Sequence, residues 1–199
     1  MSFLGAATLL RRGVSGLAAG MAWVAGWNYV ACALFITGDI LGRNLFGVSS
    51  AATVEITGYM LACGIAWGLA HTLAARAHIR VDVLVTRMPV KWRAPLHLFS
   101  LLLLTAFAAF TAWAAWELVA ESALFDAHDN SALRVPLVIP QGIWAVGITA
   151  FVVMCIVLLL ESLLALLAGR PEHLDELLGS RTLTDETQEA LEAIAMARK

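Results

Sequence analysis

Residues 135–160, VPLVIPQGIWAVGITAFVVMCIVLLL, form a stretch of 26 residues without Asp, Glu, Lys or Arg. A helix of about 20 apolar residues crosses the hydrocarbon core of a bilayer, which is about 30 Å thick. Three other stretches, residues 13–38, 56–75 and 94–116, are also uncharged and contain 26, 20 and 23 residues. Because lipid leaves no backbone group unpaired and none of these stretches alternates with a period of two, the sequence predicts four transmembrane helices.

The composition of the whole chain agrees with a membrane protein and disfavours other classes. Of its 199 residues, 60% are hydrophobic and 14% charged, whereas an ordinary soluble domain has about 25% charged residues. The net charge of −2 argues against a nucleic-acid partner, because such proteins carry clustered Lys and Arg. The sequence contains no hydrolase triad pattern, HExxH motif or phosphate loop, so it gives no support for an enzyme.

We therefore predict an all-α, polytopic membrane protein with a four-helix domain at residues 1–169 and a cytoplasmic tail at 170–199. Short amphipathic helices are expected in the loop between the second and third spans and in the tail. The predicted spans are, approximately, residues 14–38, 56–76, 94–118 and 140–166.

The basic residues predict the orientation of these helices. Eleven of the 13 Lys and Arg residues fall on the side of the two termini and the middle loop, and only Arg43 and Arg134 fall on the other side. By the positive-inside rule, both termini are cytoplasmic and the acidic segment 117–134 faces outward. A secretory signal peptide is the alternative for the N-terminus, but its apolar core is usually 7 to 15 residues long.

Four polar residues near the outer ends of the first two spans need an explanation. Asp39 and Arg43 are four residues apart, and Glu55 and Tyr59 repeat that spacing, so each pair shares a helix face. One interpretation is an interfacial ion pair that anchors the helix ends. The other is that Arg43 and Glu55 hold the turn between the two helices together, or reach a partner protein.

On the inner side, three histidines and one acid raise alternatives. His78 and Asp82 are four residues apart in an amphipathic segment, and a structural pair is favoured there over a metal or proton site. Glu161, at the inner end of the fourth span, is expected to snorkel or to pair with a base of the inner loop. His71 and His97 could ligate a haem, which would make the chain a haem-linked or quinone-linked membrane anchor of an oxidoreductase.

A standalone carrier is disfavoured, because the charges cluster at helix ends and no inverted repeat is visible. The residues instead favour a scaffold subunit that anchors a partner. Small residues would allow close helix contacts in such a subunit. The candidates are Gly58, Ala62, Gly64 and Gly68.

A series of short motifs resembles the small membrane subunit (DctQ-like) of tripartite ATP-independent periplasmic (TRAP) transporters. The resemblance covers roughly residues 20–165. The motifs are GDILGRNLFG at 38–47, EITGY at 55–59, AHIRVD at 77–82, LRVP at 133–136 and IPQ at 139–141.

The resemblance implies a multi-pass protein of the bacterial inner membrane, stably bound to a large membrane subunit that carries the sodium and substrate sites. A periplasmic binding protein would deliver the substrate, usually an organic acid, and would contact the complex transiently. The small subunit would act as a static brace, without catalytic, substrate-binding, cofactor or metal residues of its own. Its structural or subunit-interface residues would be Asp39, Arg43, Glu55, Tyr59, His78, Asp82, Arg134, Pro136 and Pro140.

Overall fold

The computed structural model describes residues 3–50, 52–77, 88–130 and 133–179, together with the single positions 187, 191, 194 and 196. Five helices are present in the four continuous ranges, and these ranges contain no strand beyond an isolated bridge between His128 and Pro136. The helices are α1 (Phe3–Phe46), α2 (Thr53–Ala74), α3 (Val90–Leu124), α4 (Val138–Leu167) and α5 (Pro171–Leu178).

The first four helices are long and apolar enough to cross a membrane, which confirms the predicted all-α fold with four transmembrane helices. Two of them extend well beyond the uncharged stretches. Helix α1 has 44 residues and α3 has 35, or about 66 Å and 52 Å at 1.5 Å per residue. Both exceed the hydrocarbon core, so Arg11 and Arg43 lie on the helical ends of α1 and not on loops.

Two prolines stand at the start of α4. Pro136 precedes the helix and Pro140 is its third residue. Proline lacks the backbone N–H, and the first N–H groups of a helix have no intrahelical partner, so proline costs little at these positions. The break that Pro136 introduces lets the connection from α3 lie across the end of the bundle.

Helix α4 occupies the centre of the bundle. It packs against α2 and α3 and also contacts α1, while α1 packs mainly on α2, and α5 lies against α3 and α4. In the most apolar window of each span, 44% of the residues of α4 are buried, compared with 11% in α1 and 17% in α3. The outer faces of α1 and α3 are therefore left to lipid or to another chain.

Glycine allows α4 to approach α2 closely. A Cβ atom at Gly147 would lie 2.8 Å from the backbone carbon of Ala66 and 2.7 Å from the ring of Trp67. Gly64 has a similar role between α2 and α1, because a Cβ there would lie 2.8 Å from the ring of Tyr29. A Cβ at Gly58 or Gly68 would meet nothing within 4 Å, so of the three glycines singled out on α2 only Gly64 is closely approached within the described chain.

The first of the predicted tail helices corresponds to α5, which buries Leu174 and Leu178. The predicted second tail helix is described only at four separate helical positions. The predicted amphipathic segment of the inner loop falls mostly at residues 78–87, outside the described ranges, and so remains a prediction.

We predict that Gly147→Ala destabilises the bundle by about 1–3 kcal/mol, because the added methyl group collides with the backbone of α2. Gly142→Ala on the same helix is the matched control, since a Cβ there meets nothing within 4 Å. Thermal unfolding in detergent measures both. Equal melting temperatures for the two variants would contradict the close contact.

Candidate functional site

The turn between α1 and α2 is organised by the carboxylate of Asp39. Its Oδ1 accepts a hydrogen bond of 2.6 Å from the backbone N–H of Ser50, and its Oδ2 lies 3.0 Å from Nη2 of Arg43. The hydroxyl of Ser49 bridges these groups, 3.3 Å from Asp39 and 3.0 Å from Arg43. Gly47 has a φ of 66°, a left-handed conformation that lets the chain turn back after the helix.

Exposure separates the roles of the two charged residues in this turn. The side chain of Asp39 is 5% exposed and that of Arg43 is 63% exposed. A carboxylate that accepts a backbone N–H and a guanidinium forms charge-assisted hydrogen bonds, which are stronger than neutral ones. Asp39 therefore holds the turn together, and Arg43 covers it from the water side.

Glu55 belongs to a different group, contrary to the idea that it joins Arg43 in the turn. The hydroxyl of Tyr59 donates to Oδ2 of Asp129 and lies 3.4 Å from Oε1 of Glu55. Donation from Tyr59, and then from the backbone N–H of Asn130, lowers the pKa of the Asp129 carboxyl below its ordinary value. This group joins the start of α2 to the connection between α3 and α4.

The connection between α3 and α4 is closed by backbone hydrogen bonds. The N–H of Asp129 donates to the carbonyl of Val135 over 3.0 Å, and the N–H of Leu137 donates to that of Ala127 over 3.0 Å. Arg134 is exposed, with a left-handed φ of 47°. These bonds fix Asp129 in place for Tyr59.

The prolines predicted as site residues lie on this side of the bundle. Pro136 pairs with His128 in the isolated bridge. The carbonyl of Pro140 lies 3.7 Å from the Sγ of Cys63 on α2. Both prolines therefore act through the backbone, by positioning the start of α4.

The inner-side histidines and acid have different outcomes. His78 and Asp82 lie outside the described residues, so their pairing remains a prediction. His71 is on α2 and His97 on α3, and in the described chain α2 packs mainly on α1 and α4 whereas α3 packs mainly on α4 and α5. The helices of the two histidines are thus not principal neighbours. Among the described residues no group of three or more His, Cys, Asp or Glu side chains could hold a metal ion.

Glu161 forms the polar contact at the other end of the bundle. It is fully buried, and its Oε2 lies 2.7 Å from Nε of Arg11 on α1. Its Oε1 lies 3.0 Å from the hydroxyl of Thr8 and 3.5 Å from Nε2 of His173 on α5. The partner is a base of α1 and not a base of the inner loop, as the sequence had suggested.

This pair has a signal in the sequence, although the spacing along the chain hides it. Glu161 is the single charged residue of α4, and a buried carboxylate requires a partner. In an antiparallel bundle the end of α4 lies on the same side as the start of α1, where Arg11 is found. The burial requirement and the topology together point to Arg11 or Arg12.

We predict that Arg11→Gln costs about 3 kcal/mol of stability, because it leaves the buried carboxylate of Glu161 without its cation. Arg12→Gln, at the exposed neighbouring position, is expected to change stability by less than about 0.5 kcal/mol. Denaturation of the full chain in detergent compares the two variants. A similar loss for both would show that the ion pair is not the cause.

We also predict a pH signature for the contact between Tyr59 and Asp129. A carboxyl whose pKa is lowered on folding stabilises the fold above its ordinary pKa of about 3.9, and this contribution is lost as the pH falls through the lowered value. Tyr59→Phe should therefore melt below the unaltered chain at pH 7, and the difference should shrink on acidification below about pH 4. Tyr29→Phe, which removes the other tyrosine hydroxyl of the chain, controls for hydroxyl loss. A difference that does not depend on pH would refute the assignment.

Comparison with known proteins identifies the family of the chain. Neither the search of curated proteins nor the search of solved structures returned a match. A family model described as "Tripartite ATP-independent periplasmic transporters, DctQ component" matches residues 32–167. The match includes the Asp39 turn, the contact between Tyr59 and Asp129, and all of α4. It covers more than half of the chain, and the chain therefore belongs to the DctQ family, the small membrane component of TRAP transporters and not a family of enzymes.

Proposed function

We propose that this multi-pass inner-membrane protein is the scaffold subunit that braces the large, sodium-coupled subunit of a TRAP transporter. The large subunit would carry the sodium and substrate sites and import an organic acid. A periplasmic binding protein would deliver that acid and touch the complex only transiently. Membership of the DctQ family supports this assignment of roles.

The observation that carries the proposal is the position of the polar contacts. At one end of the bundle, Asp39 closes the α1–α2 turn and Asp129 is bound by Tyr59. At the other end, Glu161 joins α4 to Arg11 of α1. Between these ends the helices meet through small and apolar side chains, which pack densely and resist sliding. Such a body is suited to remain fixed while a partner moves against it.

We propose that both termini face the cytoplasm, as the distribution of basic residues predicts. The contact between Arg11 and Glu161 is then on the cytoplasmic side. The Asp39 turn and the connection that holds Asp129 face the periplasm, where the binding protein would approach.

We further propose that α2 offers a face to the large subunit. Val54, Leu61 and Ile65 are exposed on this helix. Gly58 and Ala62 are exposed beside them, four residues apart. Small residues at this spacing let another helix approach closely in a membrane, and a Cβ at Gly58 meets no atom of the chain within 4 Å.

The test is to place an affinity tag after Lys199, isolate the chain gently from its native membrane, and identify the proteins that accompany it by mass spectrometry. A large polytopic subunit at about one to one is expected. Recovery of the chain alone, or with flavin or iron-sulfur subunits, would overturn the proposed function.

A variant locates the interface within the same experiment. Gly58→Leu fills the gap on α2 without touching the described chain, so we expect folded protein and a loss of most of the recovered partner. Ala109→Leu, at an exposed position on α3, is the control and should leave recovery unchanged. Equal recovery with both variants would reject the α2 face.

A further inference from the structure

A polar cavity lies where α1, α2, α4 and α5 meet, at the end of the bundle that contains Glu161. Its volume is about 330 Å³, and its lining includes Arg11, Arg76 and His173, with Leu158 and Leu177 beside them. Glu161 neutralises one of the two arginines. The cavity therefore has an excess of one positive charge, or of two when His173 is protonated, and favours an anion.

Arg11 is held in a fixed orientation at this cavity. Its Nε donates to the fully buried Oε2 of Glu161 over 2.7 Å. The terminal amino groups of a guanidinium carry four further N–H donors in a planar fork, a geometry that matches a phosphate or a carboxylate. Glu161 thus prepares Arg11 to bind a second, external oxyanion.

Arg76 occupies a position that usually favours glycine. It follows the end of α2 with a left-handed φ of 54°, and the N–H of Ala77 donates to the carbonyl of Thr72 over 2.9 Å. The same motif ends α4, where the left-handed residue is Gly169, with a φ of 69°. A side chain costs energy in this conformation. The arginine is therefore disfavoured by the local backbone, which suggests that its side chain has a use.

An apolar groove lies next to the polar cavity on the same helices. Its volume is about 400 Å³, and it is lined from Leu10 to Met21 on α1, by Ala70 on α2 and by Val153 on α4. Ala70 is one turn deeper in the span than Ala74 of the polar cavity. The ten residues from Arg11 to Met21 extend about 15 Å, close to half of the roughly 30 Å hydrocarbon core.

We propose that this end of the bundle binds an anionic phospholipid, with its phosphate at Arg11, Arg76 and His173 and one acyl chain in the groove. The argument is the continuity of a cationic cavity with an apolar groove about as long as one leaflet. A free anion would use only the first of these, and a neutral lipid only the second. Basic pockets between transmembrane helices are a known type of site for anionic lipid headgroups.

The test uses the full chain, purified in detergent, with palmitoyl-oleoyl phosphatidylglycerol and the matching phosphatidylcholine as probes. Native mass spectrometry measures the bound lipid, and thermal unfolding reports the folded state. We expect phosphatidylglycerol to bind about tenfold more tightly, as one charge-assisted contact would give. Equal binding of the two lipids would overturn the proposal.

Arg76→Gly separates binding from folding. Glycine accepts the left-handed φ, so the melting temperature should stay constant or rise, while phosphatidylglycerol affinity falls about tenfold. Arg76→Asn, which also tolerates this conformation, repeats the comparison if the glycine variant does not fold. Arg12→Gln removes one charge from the same end of the bundle and should leave binding unchanged. Equal losses for Arg12→Gln and Arg76→Gly would show attraction by net charge alone and reject the site.

The groove is tested in the same way. Gly13 lines it, and a Cβ there meets nothing within 4 Å, so Gly13→Leu should fill the groove and lower phosphatidylglycerol binding. Gly16→Leu, also without neighbours within 4 Å, is the control and should not. Complete displacement of phosphatidylglycerol by millimolar inorganic phosphate would identify a free-anion site and overturn the lipid assignment.

Discussion

The hydrocarbon core of a membrane offers no hydrogen-bond partners, and this constraint decides which contacts can hold the four helices together. Polar side chains can contribute strongly only near the ends of the spans or where another side chain pairs with them. Glu161 satisfies this rule through Arg11, and Asp39 through Arg43 and Ser50. The apolar stretches between these contacts are left to shape complementarity.

Shape complementarity in this chain depends on where side chains are smallest. Helix α4 approaches α2 at Gly147, and α2 approaches α1 at Gly64. Between apolar helices in lipid there is little hydrophobic driving force, so close van der Waals packing and interhelical hydrogen bonds provide the association energy. The hydrogen bond from the indole of Trp67 to the carbonyl of Ile143, at 2.8 Å, adds a polar contact beside Gly147.

The sequence predicted the features that depend on local spacing. Uncharged length gave the four helices, and the spacing of four residues gave the pairing of Asp39 with Arg43. Contacts between distant residues were not predicted in this way. Arg11 and Glu161 are 150 residues apart, and Tyr59 and Asp129 are 70 apart. Helical periodicity says which face a residue occupies but not which helix lies opposite, so Gly58 and Gly64 looked equivalent in the sequence although only Gly64 is closely packed.

The unequal apolar lengths of the first two spans have a consequence for the surrounding lipid. The uncharged part of α1 has 26 residues and that of α2 has 20, or about 39 Å and 30 Å of helix. A helix longer than the bilayer core is accommodated by tilt or by local thickening of the membrane, whereas one of matching length requires neither. Because α1 and α2 are tied together by the Asp39 turn, this hydrophobic mismatch belongs to the whole bundle. It sets the inclination at which the bundle sits, and with it the inclination of any protein that docks on it.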